Sequence, residues 1–313
     1  MTDAPPLRPS LVLALDGATF SVIEPMVARG ELPHLARALR EGRAAPLPSV
    51  IPPVTFPAWS SFATGLEPGD HGVFDFTQKV PGAYRLRFAN ASDRAGTSLF
   101  RRVCDAGGRV LVLGMPAAFP PEPLDGLLVC GFDAPVSTGT DERSASDPAL
   151  YRRIASAVGP WMRPDIDESA RDAGFHERAV ETLLARVERK ERFALEALRV
   201  VAEQGPPALA MVVWSESDTV GHHYWRDHDA HSPRHDPRAS AARKGAIEAV
   251  YARLDAACGA LRAAFEQLHE GRDPACFVLS DHGMGGAARF VVHVNARLAE
   301  AGLLARARHA GAG

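Results

Sequence analysis

Residues 11–19 read LVLALDGAT, a short apolar run that ends in an aspartate and a glycine. Five consecutive apolar residues followed by a turn signal are typical of a fully buried β-strand. Four later runs have the same form: RVLVLG (109–114), LLVCGF (127–132), LAMVVW (209–214) and CFVLS (276–280). Segments with a helical period lie between them, so the sequence predicts an α/β fold with a mostly parallel sheet covered by helices.

Three segments between the strands are predicted to be helical. The segment ELPHLARALREG (31–42) has Pro33 near its start and Gly42 at its end, as helices commonly do. Two longer helices each show an apolar face, marked by Ala179, Leu183, Val187, Ala194, Leu198 and Val201 in one and by Ile247, Val250, Leu254, Leu261, Phe265 and Leu268 in the other. Residues 133–174 lack either period, and we predict a lid or insert there.

The composition excludes several classes of protein. The chain has 313 residues, 46% of them hydrophobic, and a formal net charge of −3. Without a basic field we expect no nucleic-acid or membrane partner. The start MTDAPPLRPS lacks the features of a signal peptide, and no apolar run reaches the roughly 18 residues of a membrane helix, so we expect a cytoplasmic chain. Four well-separated cysteines suggest buried free thiols rather than disulfides or a zinc knuckle: Cys104, Cys130, Cys258 and Cys276.

Acidic and histidine side chains follow three of the five predicted strands. Asp16 follows the first, and Asp281 and His282 follow the last, in DHGMGG. Asp218 and His222 come after LAMVVW and are four residues apart, which places both on one face if that segment is helical. Ligands of open parallel sheets bind beyond the carboxyl ends of the strands, and carboxylate and imidazole are natural ligands of Zn²⁺. The sequence thus predicts a metal site, although turn, capping or surface roles remain alternatives for each residue alone.

A threonine in a proline-rich stretch is the candidate nucleophile. In IPPVTFPAWSSFATG (51–65), Thr55 lies between Pro53 and Pro57, which would restrict its movement. A divalent ion lowers the pKa of a hydroxyl bound to it and can thereby turn a threonine into a nucleophile. The alternative is an ordinary proline-bounded turn.

Two further histidine-bearing stretches receive structural interpretations. Residues 222–235 read HHYWRDHDAHSPRH and predict a solvated loop over the site, with contact between one of its histidines and the substrate as the alternative. His71, in GDHGVFDF, lies in a glycine-flanked turn, where we favour a structural hydrogen bond over a catalytic role.

Taken in order, five segments resemble the alkaline phosphatase superfamily, and within it the type I phosphodiesterase/nucleotide pyrophosphatase-like branch: VLALDGAT, PPVTFPAWSSFATGLEPGDHGVFDF, SESDTVGHHYW, LSDHGM and VHVNARLAEAGLL. The resemblance implies a doubly wound αβα sandwich. It also implies a metal-dependent hydrolase that cleaves small-molecule phosphate monoesters or diesters with two divalent ions, Zn²⁺ or alternatively Mn²⁺. Sulfate and phosphonate esters stay open as substrates.

The same resemblance implies roles for six residues. One ion would be held by Asp16, Thr55, Asp281 and His282, with Thr55 also acting as the nucleophile. The second ion would be held by Asp218 and His222, and would activate the water that hydrolyses the phosphothreonine intermediate.

Two departures from the family pattern qualify this expectation. The family completes the second metal site with a histidine well beyond SDHG, whereas this chain ends at Gly313 and offers only His293 and His309. We therefore expect one α/β core over residues 1–313 that is incomplete at its C-terminus. Phe76 stands 21 residues after Thr55, where nucleotide pyrophosphatases carry an asparagine that contacts a phosphate oxygen. Losing that donor argues against nucleotide pyrophosphatase activity proper. A non-catalytic or metal-deficient member of the fold is the alternative function.

Overall fold

A computed structural model describes residues 7–132, 142–161, 166 and 174–305. Its strands are β1 (Ser10–Leu15), β2 (Thr77–Lys79), β3 (Leu86–Phe88), β4 (Val110–Met115), β5 (Gly126–Cys130), β6 (Leu209–Trp214) and β7 (Ala275–Leu279). Five of them form a parallel sheet in the order β5-β4-β6-β1-β7, while β2 and β3 pair as a small antiparallel ribbon. The five predicted runs are the strands of this sheet, with ends shifted by at most two residues.

The register of the central strands determines where the site lies. Ser10 of β1 pairs with Leu209 of β6 on one side and with Ala275 of β7 on the other. All three strands run in the same direction, so their carboxyl ends are level. The residues that follow β1, β6 and β7 therefore emerge side by side at one edge of the sheet.

The helices are α1 (Phe20–Ala28), α2 (Pro33–Glu41), α3 (Thr55–Thr64), α4 (Pro68–His71), α5 (Leu99–Asp105), α6 (Pro148–Val158), α7 (Phe175–Ala202), α8 (Glu216–His228), α9 (Ala241–Lys244), α10 (Ala246–Leu268) and α11 (Val294–Glu300). The three predicted helices correspond to α2, α7 and α10. No helix in the described part of the chain is long and apolar enough to cross a membrane.

Helices cover both faces of the sheet. Leu11 and Leu13 of β1 point to one face and join a core formed with α1, α2, α7 and α10. Val12 points to the other face, where it joins a second core that includes Trp59 of α3 and Phe100 of α5. Side chains of a strand alternate between its two faces, so this division places a helical layer on each side. The predicted doubly wound αβα sandwich is confirmed.

The structure excludes one alternative and corrects one prediction about local structure. The stretch around Thr55 is not a simple turn, because Thr55 begins helix α3 and Gly65 ends it with φ 70°. A proline is tolerated in the first turn of a helix, where the backbone N–H has no intrahelical partner. Residues 222–228 are the second half of α8 rather than a loop, since Val220 and Tyr224 provide the buried helical face.

Residues 142–161 are the larger described part of the predicted lid or insert. Helix α6 within them packs Tyr151 and Ile154 into the main core beside α7. Residues 133–141, 162–165 and 167–173 lie outside the described residues, so the lid or insert stays a prediction. The four cysteines are free, as predicted; two are buried, and Cys104 and Cys276 are only partly buried.

Candidate active site

Asp16, Asp281 and His282 form a compact group of ligand-bearing side chains. One ligand atom of each lies within 4.8 Å of the others. Asp16 directly follows β1, and Asp281 and His282 leave the sheet just after β7. Because β1 and β7 are neighbours in register, these residues meet at one edge of the sheet.

Each carboxylate in this group has one oxygen held by the protein and one without a hydrogen-bond donor. The indole Nε1 of Trp59 donates to Asp16 Oδ2 at 3.1 Å, and the backbone N–H of Gly17 donates to Asp281 Oδ1 at 3.1 Å. The other two oxygens, Asp16 Oδ1 and Asp281 Oδ2, are buried and have no hydrogen-bond partner among the described residues. A buried carboxylate oxygen without a donor is costly, and a cation would satisfy both.

The imidazole of His282 is held in the same way. Its Nδ1 lies 3.0 Å from the carbonyl oxygen of Gly283. A carbonyl only accepts hydrogen bonds, so Nδ1 carries the proton and Nε2 of the neutral ring keeps its lone pair. Nε2 lies 3.6 Å from Asp16 Oδ1, 3.4 Å from Asp281 Oδ2 and 3.2 Å from Thr55 Oγ1. This tautomer therefore directs a ligand atom at the two unpartnered carboxylate oxygens.

Burial and mutual repulsion make the charged form of the carboxylates unfavourable. Burial, and then the charges of Asp281 and Asp218, raise the pKa of Asp16 well above its ordinary value. Burial also raises the pKa of Asp281, although His282 opposes the shift. A divalent cation beside the two carboxylates would favour their charged form instead. Two carboxylates, an imidazole nitrogen and a hydroxyl are a donor set that fits such an ion.

Thr55 presents its hydroxyl to this group from the start of α3. The residue is buried, and Val54 before it is extended, as expected at the N-terminal boundary of a helix. The unpaired N–H groups and the helix dipole make this end electropositive. The hydroxyl therefore lies between the candidate ligands and a helix end that favours an anion.

Asp218 and His222 lie on one face of α8, four residues apart as predicted. Nε2 of His222 is 3.4 Å from Asp218 Oδ2, and Asp218 Oδ1 is buried without a hydrogen-bond partner among the described residues. A Cβ on Gly17 would be only 2.8 Å from Asp218 Oδ1, so the glycine allows this close approach. The Ser217 hydroxyl also donates to the carbonyl of Asp16 at 2.7 Å, which ties α8 to the end of β1.

A cavity of about 370 Å³ connects the two sets of residues. Its lining includes Asp16, Thr55, Asp218, His222 and His282. Asp281 is buried and does not line the cavity. A larger cavity, of about 520 Å³, opens beside α6 and contains none of the six predicted residues. Five of the six predicted residues thus line one cleft, whereas the roles of all six as ligands or nucleophile stay predictions.

Asp218 and His222 belong to no group of three candidate ligand side chains in the part of the chain that the structure describes. Among the described residues, the only group of three such side chains with ligand atoms within 4.8 Å of one another is Asp16, Asp281 and His282. His293 is at the exposed N-terminal boundary of α11 and is not in that group. His309 lies outside the described residues.

Sequence reasoning missed Trp59, which holds Asp16. A signal was available, because Thr55 and Trp59 are four residues apart and lie on one face of α3. The structural interpretation of His71 is confirmed: its Nε2 lies 3.0 Å from Ser61 Oγ, and its Nδ1 accepts from the backbone N–H of Val73 at 3.1 Å. These bonds connect α3 to the chain that follows α4.

Comparisons with known proteins found one matching family and several similar solved structures. The profile of the type I phosphodiesterase / nucleotide pyrophosphatase family matches residues 10–312. Phosphonoacetate hydrolase from Sinorhizobium meliloti 1021, solved with phosphonoformate and with phosphonoacetate, aligns with a TM-score of 0.59 and 19% identity over 94% of this chain and 62% of that chain. A putative sulfatase from Bacteroides fragilis aligns with a TM-score of 0.41 and 16% identity over 90% of this chain and 64% of that chain.

These likenesses differ in what they support. At 19% identity, the likeness to the phosphonoacetate hydrolase supports the fold alone. The chain spans less than two thirds of the length of either solved protein. No curated protein matches the chain.

Proposed function

Because this chain belongs to the type I phosphodiesterase / nucleotide pyrophosphatase family of the alkaline phosphatase superfamily, we propose that it hydrolyses phosphate esters of small molecules. The proposed reaction depends on divalent metal ions and uses Thr55 as the nucleophile. The observation that carries the proposal is the arrangement of Asp16, Asp281 and His282. Each has one polar atom fixed by the protein and another left to bind a cation beside the Thr55 hydroxyl.

In this proposal, six residues hold the metal ions. Asp16, Thr55, Asp281 and His282 would hold one ion, and Asp218 and His222 would contribute to a second. Zn²⁺ suits carboxylate and imidazole ligands, and Mn²⁺ is the alternative. Bound ions supply Lewis acidity, lower the pKa of an attached hydroxyl and neutralise charge that develops on the phosphoryl group.

Thr55 performs the covalent step. Its Oγ1 attacks phosphorus, the bond from phosphorus to the leaving alcohol breaks, and the hydroxyl proton ends on the departing alcohol. Water then attacks phosphorus, which releases the phosphoryl product and restores the threonine hydroxyl. The fixed start of α3 keeps Oγ1 near the reacting phosphorus, which lowers the entropic part of the barrier.

The charge of the cleft favours a phosphodiester over a phosphomonoester. None of the described residues that line the cavity is lysine or arginine, while Asp16 and Asp218 line it. A monoester carries close to two negative charges at neutral pH, and here it would rely on the metal ions and the α3 terminus alone for compensation. A diester carries one negative charge and needs less positive charge to compensate it, so we expect faster cleavage of diesters than of monoesters.

Substitution of Thr55 tests this function. With bis(4-nitrophenyl) phosphate and saturating Zn²⁺ or Mn²⁺, Thr55→Ala should lose turnover by roughly 10³-fold or more, because no nucleophile remains. Thr55→Ser should keep part of the activity, because the hydroxyl survives and only the methyl group that restricts its rotamer is lost.

Thr64→Ala, at the other end of the same helix, is the matched control and should turn over at the wild-type rate. Wild-type turnover by Thr55→Ala would reject the nucleophile. Wild-type protein that cleaves no ester with either ion would favour the non-catalytic, metal-deficient alternative.

A further inference from the structure

Three phenylalanines form an aromatic cluster beside the proposed nucleophile. The ring centroid of Phe56 lies 4.6 Å from that of Phe76 and 5.6 Å from that of Phe132, and Phe76 and Phe132 are 6.0 Å apart. Phe56 is 1% exposed and directly follows Thr55. Phe76 and Phe132 are partly buried and line the cleft. We call Phe76 and Phe132 the aromatic wall.

The aromatic wall is held from behind. Phe56, Val73, Ala89 and Ala117 form a small buried core on which Phe76 and Phe132 pack. The carbonyl of Phe76 also accepts a hydrogen bond from the backbone N–H of Ala89 at 2.8 Å, which fixes the chain just before β2. The wall is therefore a prepared surface, because its rings need not be ordered again when a ligand arrives.

The chemistry of the aromatic wall differs from that of the rest of the cleft. A phenylalanine ring offers no hydrogen bond to a phosphoryl oxygen, so Phe76 cannot stabilise the reacting group as an amide would. It offers an apolar face of the kind that stacks on another ring. The opposite side of the cavity is polar and includes Thr55, Asp218 and His282. The cleft is therefore divided into a half for a phosphoryl group and a half for an apolar group.

We propose that the aromatic wall binds an aromatic substituent of the substrate, so that this site takes aryl-substituted phosphodiesters. The inference rests on the proposed function, since it assumes that the phosphoryl group lies at Thr55. A phenyl group buries five more carbon atoms than a methyl group, which predicts binding tighter by about 10- to 100-fold. Phe76 and Phe132 determine specificity in this account and take no part in bond breaking.

Binding of two stable anions tests the inference without catalysis. Diphenylphosphinate and dimethylphosphinate each carry one negative charge, and water does not cleave their carbon–phosphorus bonds. Isothermal titration of the full chain in Zn²⁺ should give a dissociation constant about 10- to 100-fold lower for diphenylphosphinate. Phe76→Leu and Phe132→Leu should each reduce this ratio severalfold, because a leucine keeps the packing but cannot stack.

Phe74→Ala is the matched control, because this ring is 53% exposed and does not line the cavity. The ratio of its dissociation constants for the two phosphinates should equal that of the wild-type protein. Circular dichroism identifies any variant that fails to fold. One folded leucine variant is enough for the test. Equal affinity of wild-type protein for the two anions, or an unchanged ratio in the folded leucine variants, would overturn the inference.

The rate constants of two diesters separate this inference from the proposed function. Phenyl 4-nitrophenyl phosphate and methyl 4-nitrophenyl phosphate share a leaving group, and the phenyl ester should have the higher kcat/KM by a similar factor. Absence of turnover with both, together with a preserved preference for diphenylphosphinate, would reject the hydrolase and keep the aromatic wall. Turnover of both esters at equal kcat/KM would keep the hydrolase and reject the wall.

Discussion

At the scale of single residues, the candidate site depends on which polar atoms of its side chains are already hydrogen-bonded to the protein. Asp16, Asp281 and His282 each have two polar atoms, and one atom of each pair is taken by Trp59, Gly17 or Gly283. Such partners fix the orientation of a ligand before the metal arrives, and losing one typically weakens metal binding by 10- to 100-fold.

Trp59→Phe tests this arrangement. The variant keeps a ring in the core but removes the N–H that holds Asp16 Oδ2, so Zn²⁺ affinity should fall by roughly 10- to 100-fold. Competition titration against a chromogenic chelator measures the loss. Trp214→Phe is the control, because the indole nitrogen of Trp214 is buried without a hydrogen-bond partner among the described residues. Equal weakening in both variants would mean that lost packing, and not the bond to Asp16, sets the affinity.

At the scale of elements, helix α8 carries Asp218 and His222 and is fixed at its start. Glu216 is its first residue, and Lys190 of α7 lies 2.7 Å from Glu216 Oε1. Both side chains are almost fully buried, and the Lys190 ammonium also lies 5.3 Å from the centroid of the Trp161 ring. A buried ion pair adds little net stability, but breaking it leaves one charge uncompensated in the core. We infer that this pair sets the position of α8 against α7.

Single and double substitutions of this pair should therefore differ. Glu216→Gln and Lys190→Met should each lower the free energy of unfolding by about 3–5 kcal/mol, whereas the double variant should lose clearly less than the sum. Urea unfolding monitored by circular dichroism gives the three values. Arg192→Met with Glu188→Gln, an exposed pair on α7, is the control cycle and should couple by less than about 1 kcal/mol. Additive losses at Lys190 and Glu216 would show that the two charges do not act as a pair.

At the scale of the whole molecule, the parallel direction of the strands creates the candidate site, and this much could be predicted from the sequence. Apolar runs such as residues 11–15 and 209–214 are readable because buried parallel strands are apolar on both faces. The polar residues that follow them could then be assigned to one sheet edge. Helix α3 was not predicted, because Pro53 before it and Pro57 within it left an ordinary turn open as an alternative. Strands β2 and β3 were missed because they are short and mostly exposed.

The contacts that orient the candidate ligands could not be predicted. The bond between Trp59 and Asp16 joins residues 43 positions apart, and that between Gly17 and Asp281 joins residues 264 positions apart. Such contacts depend on the order and register of the strands, which hydrophobic patterns do not specify. Phe132 was likewise placed beside Phe76 by the fold and not by any local signal.

The number of metal ions bound per chain follows from the arrangement of the whole site. Four candidate ligands surround one position and two surround the other, so elemental analysis after dialysis should give nearer one ion per chain than two. Asp281→Ala should lose that ion, whereas Asp218→Ala should keep it. Binding to the native state alone should also raise the melting temperature of wild-type protein, and this rise should disappear in Asp281→Ala. Two tightly held ions, or identical loss from both variants, would contradict the division of ligands.

Trapping the covalent intermediate shows whether Thr55 attacks the phosphorus atom. Metal-loaded protein mixed with bis(4-nitrophenyl) phosphate is quenched in acid within the first turnover, and its peptides are sequenced by mass spectrometry. We expect a 4-nitrophenyl phosphoryl group on the peptide that contains Thr55, attached at that residue and absent from Thr55→Ala. Multiple turnovers with no adduct at any time point, or an adduct on another residue that persists in Thr55→Ala, would contradict it.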